Sequence, residues 1–436
     1  MDIATSFMPL LQVFTAAMTE PTAESFRQLI TGWIFAPRRT ILGALRSTDP
    51  TKHHSAYHRL FATARWSIDQ VGLAMFDLVV RLTDQHSYYL VGDDTLVHKT
   101  GLKVYGAGMH RDACQSSSGF TSFRWGHCWV VLCVLVPSRK DPQRKYAIPV
   151  LMRLYLNTKT NEKLRRKHQK KTDLMLQMIN VLSEHAADKS LHFIGDSAYT
   201  GGQMLDQIPA HVHVTGRIGL NARLCEGPRA KKPGRGRPPR RGPMLAKPQE
   251  MIAQKGLRRA KIQLYQQSSF SVRITSMICR LYLAPEREVK VVVVEHLRGG
   301  RGIEVFYSTD LDLSEEEVLQ RYSFRWPVET TFQDTKGHLG LGEPQNRVRA
   351  AIRRTTPTMF YLYALVVLWH EYVCEQPGGF VRNWPSKRHA SFADMLATLR
   401  RDSLNKTRES IFSAGGLTPA VEKLIKPLEL LLSLAA

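Results

Sequence analysis

The pattern of apolar and polar positions changes texture several times along the chain. From residue 1 to about 84, apolar residues recur at helical intervals: "TAESFRQLI" offers a Thr ahead of its first turn, and "HRLFATARWSIDQVGLAMFDLVVRL" continues the helical period. From 88 the runs shorten and read as strands: "YYLVGDD", "HCWVVLCVLVP" and "KYAIPVLMRLYL". One long helix is expected at roughly 159–187, followed by the strand "LHFIGDSAY", a short helix and the strand "HVHVTGRI". Residues 270–309 return to strands ("FSVRITSMICRLYLA", "EVKVVVVEHL", "GIEVFYST"), and the tail from 346 to 436 again reads as helical. Three strands, a helix, then strand–helix–strand predict an α/β fold with a mixed sheet.

The stretch "YSFRWPVETTFQDTK" (322–336) interrupts this pattern. At about 100° per residue, Tyr322, Arg325, Glu329 and Lys336 fall in one stripe of a helix. Core helices build such stripes from Leu and Val, so a polar stripe implies a partner. Pro327 is poorly suited to a helix interior but well suited to a first turn. A break near Arg325–Trp326 and a new helix from Pro327 are therefore expected, with Glu329 and Lys336 two turns apart.

Composition narrows the function. A chain of 436 residues predicts two to four domains. The formal charge of +23 points to a polyanionic partner, nucleic acid ahead of an acidic membrane; a plain solubility charge is the bland alternative. The six cysteines show no C-x-x-C spacing, which argues against a zinc site or disulfide framework and fits a reducing cytoplasm. The start "MDIATSFMPLLQVF" has no basic n-region, against a signal peptide, and the apolar run at 360–369 is too short to span a bilayer. A soluble cytoplasmic protein with no membrane partner is expected. Bases in the first 84 residues (Arg38, Arg39, Lys52, His53, His54) read either as a solvated face or as part of a DNA-contacting helical domain. Residues 229–261 hold 12 Lys/Arg against one acid, with clustered Pro and Gly, and predict a mobile basic loop. Its "PGRGRPPRR" resembles an AT-hook, whose Arg235 and Arg237 would follow a narrow A·T minor groove, Gly236 allowing close approach; general phosphate binding is the broader reading.

Two apolar runs end in acids: Asp93 and Asp94 in "YYLVGDDT", and Asp196 in "LHFIGDSAY". Strands that deliver Asp to their C-terminal ends place it at the sheet edge, where α/β proteins bind ligands. Neighbouring carboxylates repel unless something positive sits between them. A divalent cation is the economical answer, and Glu329 completes three carboxylates suited to two Mg2+ ions about 4 Å apart. Singly, each acid has a plainer role, as a cap or turn residue or, for Glu329, as an ion-pair partner of Arg325.

These residues carry a resemblance. The chain resembles the DDE transposases of bacterial insertion sequences, in the branch with the tyrosine–arginine–glutamate–lysine (YREK) signature. That signature reads Y-x2-R-x3-E-x6-K, and Tyr322, Arg325, Glu329 and Lys336 match each position. The flanking "RW", "HLGLGEPQNR", the D-x-T of "DDT", and Asp196 followed by Tyr199 are also similar, over roughly residues 24–370.

The resemblance implies an RNase H-like mixed-sheet core at 85–218 and 301–345, with a β-rich insertion at 219–300 that includes the basic span. The 133 residues from Asp196 to Glu329 leave room for it. A helical N-terminal DNA-binding domain (1–84) and a helical C-terminal region (346–436) flank the core. Asp93, Asp196 and Glu329 would be the catalytic residues, holding two Mg2+ ions replaceable by Mn2+. The D-x-T match favours Asp93 over Asp94, which strand alternation places on opposite faces. Arg325 and Lys336 would hold phosphates, and Tyr322 would hydrogen-bond or stack on the strand. Trp326 would stack on a displaced base or, in the commoner role, anchor the core. The implied function is cut-and-paste transposition: binding element ends in double-stranded DNA, cleaving them and joining the 3′-OH to target DNA. A homodimer or larger assembly on DNA, in the bacterial cytoplasm at the nucleoid, is the implied setting. The alternatives are a domesticated DNA-binding protein without catalysis, disfavoured by three intact acids, and a metal-dependent nuclease lacking strand transfer.

Overall fold

A computed structural model of the chain describes residues 3–413, apart from 114, 229–238, 263–269, 298–301, 376–378 and 382–383. Five helices precede the first strand: α1 (Gln12–Thr15), α2 (Glu20–Phe35), α3 (Ile41–Arg46), α4 (His54–Ala62) and α5 (Ile68–Thr83). The helical reading of 1–84 holds, and side chains supply local stops and starts. Thr40 and Ser67 accept backbone N–H groups at the starts of α3 and α5, and Asp84 ends α5 in the left-handed region. These helices pack on the rest of the molecule, with Phe14, Phe26 and Trp33 in one continuous core with Tyr361 and Trp369. Of the bases read as one exposed set, Arg39 is buried and its backbone N–H donates to Glu343, whereas Arg38, His53 and His54 are exposed.

The strands are β1 (Ser87–His98), β2 (Gly108–Arg111), β3 (Phe123–Pro137), β4 (Lys145–Tyr155), β5 (Ser190–Gly195) and β6 (Val212–Ile218), then β7 (Leu224–Cys225), β8 (Arg258–Ile262), β9 (Phe270–Leu281), β10 (Ala284–His296) and β11 (Ile303–Ser308). In space the core order is β4–β3–β1–β5–β6. The β4–β3 and β3–β1 pairs are antiparallel; β1–β5 and β5–β6 are parallel. This is an RNase H-like mixed sheet. It does not stop at β6: β11 pairs antiparallel with both β6 and β10, so β10, β9, β8 and β7 extend the same sheet.

Helices α6 (Thr158–Lys163) and α7 (Lys171–His185) follow β4, correcting the expectation of one long helix. The intervening "LRRKHQK" supplies a run of like charges and almost nothing to bury, and Arg165 takes a left-handed conformation (φ 51°). The span 229–261 also differs from a uniform loop. Its first ten residues, with Arg235 and Arg237, lie outside the described residues, while the later part forms α9 (Pro248–Lys255) and β8, after the four-residue α8 (Gly202–Leu205). Met251 and Ile262 are the buried anchors that order it.

Helices α10 (Glu315–Ser323) and α11 (Pro327–Leu339) fall on either side of a short break at 324–326, as Pro327 predicts. Helix α12 (Arg349–Tyr372) carries the apolar run 360–369 wholly buried, and α13 (Phe392–Ser413) follows. Among the described residues, no helix is long and apolar enough to cross a membrane.

Strand alternation sorts the helices. Gly92 of β1 faces α7, where an added Cβ would lie 2.4 Å from Met175 Cε; this close approach needs glycine. Asp94 shares that face, and Asp93 points to the other, towards the α10–α11 break.

Candidate active site

The parallel register pairs Gly92 with Gly195, so the next residues, Asp93 and Asp196, are brought side by side at the sheet edge. The neighbouring aspartates on β1 have different partners. Asp94 accepts a hydrogen bond from Lys171 Nζ (2.6 Å), one from the Tyr199 hydroxyl (2.8 Å) and a weaker one from the Cys128 thiol (3.4 Å). It is a half-buried carboxylate fully engaged by the protein. Burial, followed by Asp94, raises Tyr199 far above the ordinary phenol range, so it stays a donor.

Asp93 receives the Asp94 backbone N–H at 2.8 Å and the Arg325 guanidinium at 3.2 Å. Its carboxyl is pushed up to about 7, first by burial and then by the charges of Asp94 and Asp196, against the Asp94 N–H and Arg325. A carboxyl held this high gains from any further positive charge.

Asp196 follows the last residue of β5. Its Oδ1 accepts the backbone N–H groups of Ala198 (2.9 Å) and Tyr199 (3.2 Å). The plainer role of a turn residue is therefore real, and it fixes the carboxylate's direction. Glu329 lies in the first turn of α11, where a carboxylate suits the helix dipole. Its Oε1 accepts from Arg325 Nη2 at 2.6 Å, the i,i+4 pair that the spacing allowed. Arg325 thus bridges Asp93 and Glu329 from the break between two helices.

The other members of the stripe separate. Tyr322 sits in the last turn of α10, half-buried, its ring 4.7 Å from that of Phe306, and burial raises its hydroxyl above the ordinary phenol range against the nearby Arg325 charge. Lys336 is exposed, two turns (about 10 Å of rise) beyond Glu329 along α11. Trp326 is not the core anchor that its size favours: it is 58% exposed. The buried positions of α11 are Pro327, Val328, Thr331, Phe332, Thr335 and Leu339, and the residue just ahead of Pro327 turns outward. Sequence reasoning missed Lys171 and Cys128. Lys171 is concealed within a basic run, and only the fold reveals that it opens α7 against Asp94.

The donor set fits a hard divalent cation in chemistry: carboxylate oxygens from a strand, the turn after its parallel neighbour and a helix, with Asp93 and Asp196 close enough to disturb each other's charge. In this arrangement Arg325 supplies the positive charge between Asp93 and Glu329. Among the described residues, no three ligating side chains meet closely enough to hold an ion. Holding one between these acids requires Arg325 to release them.

Comparison with known proteins gives a family. Residues 9–269 match the family described as DDE superfamily endonuclease, a span that includes Asp93 and Asp196 and ends before Glu329. No curated protein matches the chain. Among solved structures, the chain aligns with that titled "Cryo-EM structure of piggyBac transposase synaptic complex with hairpin DNA (SNHP)" at 11% identity. The alignment covers 98% of this chain and 81% of that one, at a TM-score of 0.38, too low to support an inference. The family match spans well over half of the residues, and the chain belongs to the DDE superfamily of endonucleases.

Proposed function

We propose that this endonuclease is a DNA transposase of the insertion-sequence type with the YREK signature, with Asp93, Asp196 and Glu329 as its catalytic acids. One observation supports this most: Asp93 and Glu329 share Arg325 at the edge where Asp196 ends the adjacent parallel strand. Those three residues would hold two Mg2+ ions, or Mn2+, whose chemistry is to activate water and stabilise a leaving 3′-oxygen. The chain's own groups do the positioning. Lys171, Tyr199 and Cys128 fix Asp94, so β1 presents Asp93 in one orientation. The Ala198 and Tyr199 amides aim Asp196. Arg325 neutralises Asp93 and Glu329 in the absence of DNA and turns to a phosphate when DNA arrives, with Tyr322 beside it and Lys336 farther along the strand's path. Trp326, being exposed, is available to stack on a base.

Element ends and target are double-stranded DNA, and two ends held together imply a homodimer or larger assembly. Arg235 and Arg237 add affinity from the basic span. Deleting 229–247 should weaken DNA binding at moderate salt and flatten its salt dependence, because fewer counterions are released; an unchanged slope would remove this span from the DNA interface. The reading itself is tested by incubating the protein with DNA carrying the element's ends and target DNA in Mg2+, then resolving the products. Transposase activity gives cleaved ends joined through their 3′-OH to target. Cleaved but unjoined ends identify a nuclease, and binding without cleavage a DNA-binding protein.

A further inference from the structure

Two neighbouring cavities share Tyr105 in their linings and together make up a trough, whose wall begins at Leu102, eight residues after Asp94. The larger, of about 990 Å³, runs between the 102–109 segment, the start of β3, α6 and the start of α12. Lys103, Lys159, Lys163, Arg347 and Arg349 line it, and all five are exposed. The smaller, of about 430 Å³, adds Arg166, Lys167 and Arg353, and also Arg153, whose guanidinium is held by Asp69. Among the described residues lining either cavity, none is acidic. The trough is fastened rather than loose: the Tyr105 N–H donates to the Arg347 carbonyl at 3.0 Å, and Lys99 Nζ reaches the Gly342 and Pro344 carbonyls.

The floor of the larger cavity is apolar and open to solvent. Leu102, Met109, Phe123 and Val348 all line it, and they are 78%, 51%, 58% and 54% exposed. Four large exposed apolar side chains share this lining with five bases, a combination that calls for an occupant. A duplex presents phosphates outward and keeps its bases stacked inside, which would satisfy the rim and leave the floor uncovered. A single strand presents both phosphates and base faces.

Building on the reading of the chain as a DNA-cleaving enzyme, we propose that this trough binds a single-stranded segment of DNA, with phosphates on the Lys/Arg rim and unstacked bases against Phe123, Met109 and Leu102. The test uses the full-length chain without Mg2+, so that the presence or absence of cleavage does not bear on it. Binding of a fluorescent oligothymidylate of about 10 nucleotides is compared with binding of a duplex by anisotropy. The wild type, the double variant Lys159→Ala/Lys163→Ala, and Phe123→Ala are measured. Phe123→Ala should bind the oligothymidylate roughly tenfold more weakly, as loss of one stacking contact implies, and the lysine variant roughly tenfold more weakly at about 0.1 M salt, as loss of two phosphate contacts implies, with duplex affinity changed less than about twofold in both. The lysine variant should also reduce the single-strand salt slope by about 1.4, for two phosphates no longer neutralised. The substituted lysines are exposed on a short helix, so that variant reads binding even if Phe123→Ala folds poorly. Wild-type affinity for oligothymidylate in the lysine variant overturns the proposal. So does an equal loss on duplex, and so does displacement of the oligonucleotide by a polyglutamate peptide, which would assign the trough to an acidic protein segment.

Discussion

Asp93 and Asp94 show how two adjacent, chemically identical residues acquire different roles from strand alternation alone. Asp94 faces α7 and is satisfied by Lys171, Tyr199 and Cys128; Asp93 faces the α10–α11 break beside Asp196. Their substitutions should therefore affect stability differently. Asp94→Asn leaves the half-buried Lys171 without its carboxylate and should cost about 1–3 kcal/mol in urea unfolding. Asp93→Asn removes a carboxyl that burial, Asp94 and Asp196 already oppose, and should cost little or raise stability, a pattern common at functional sites. An equal loss in both would mean that Asp93 is held as a structural group. Arg325→Ala should slow cleavage and weaken the DNA complex, while the metal requirement falls because Asp93 and Glu329 no longer share a guanidinium; normal DNA binding by this variant would contradict its phosphate role.

At the scale of elements, the parts legible in the sequence were those set by local rules. Pro327 marks the start of α11, and the strand "YYLVGDD" delivers its acids to an edge. The parts that were not legible depend on distant partners. Nothing local says that β11 bridges β6 and β10 and so carries the inserted strands into the core sheet. Nothing local shows that Arg325 serves Asp93 as well as Glu329, since Asp93 is more than two hundred positions away. The basic run before α7 reads as the first part of one long helix, and its like charges and lack of a buried face break that helix in two. The end of α11 offers a further test. Gly340 has φ 63°, and a Cβ there would lie 2.6 Å from the Arg39 Cβ and 2.7 Å from a Glu343 carboxylate oxygen. Gly340→Ala should destabilise by about 1–2 kcal/mol, measured as a lowered urea midpoint with an unchanged m-value. A neutral result would mean that this turn relaxes freely.

For the whole molecule, the N-terminal helices, sheet and α12 share one core, so buried titratable groups in it report on global stability. His127 is fully buried, and burial lowers it to about 4 from the ordinary 6.5, aided by Lys99 and His110 and opposed by its hydrogen bond to the Tyr105 carbonyl. The unfolded chain therefore binds this proton more tightly, and the histidine's contribution is intact above pH 6.5 and lost as pH falls towards 4. Between pH 7 and 5 it should remove about 2 kcal/mol. Asp93 acts oppositely, because a raised carboxyl favours the folded state as pH falls below 7. The clean comparison is the difference between wild type and His127→Gln, whose stability should fall less over that interval; parallel pH profiles would contradict the assignment. The central claim is that Asp93, not Asp94, joins Asp196 and Glu329 in the chemistry. Single-turnover cleavage of DNA carrying the element's ends, in Mg2+, by wild type, Asp93→Ala and Asp94→Ala tests it directly. The account predicts no detectable cleavage by Asp93→Ala, with end binding retained, and residual cleavage by Asp94→Ala wherever that variant folds. Cleavage by Asp93→Ala at the wild-type rate, or a folded Asp94→Ala that is dead beside an active Asp93→Ala, would contradict it.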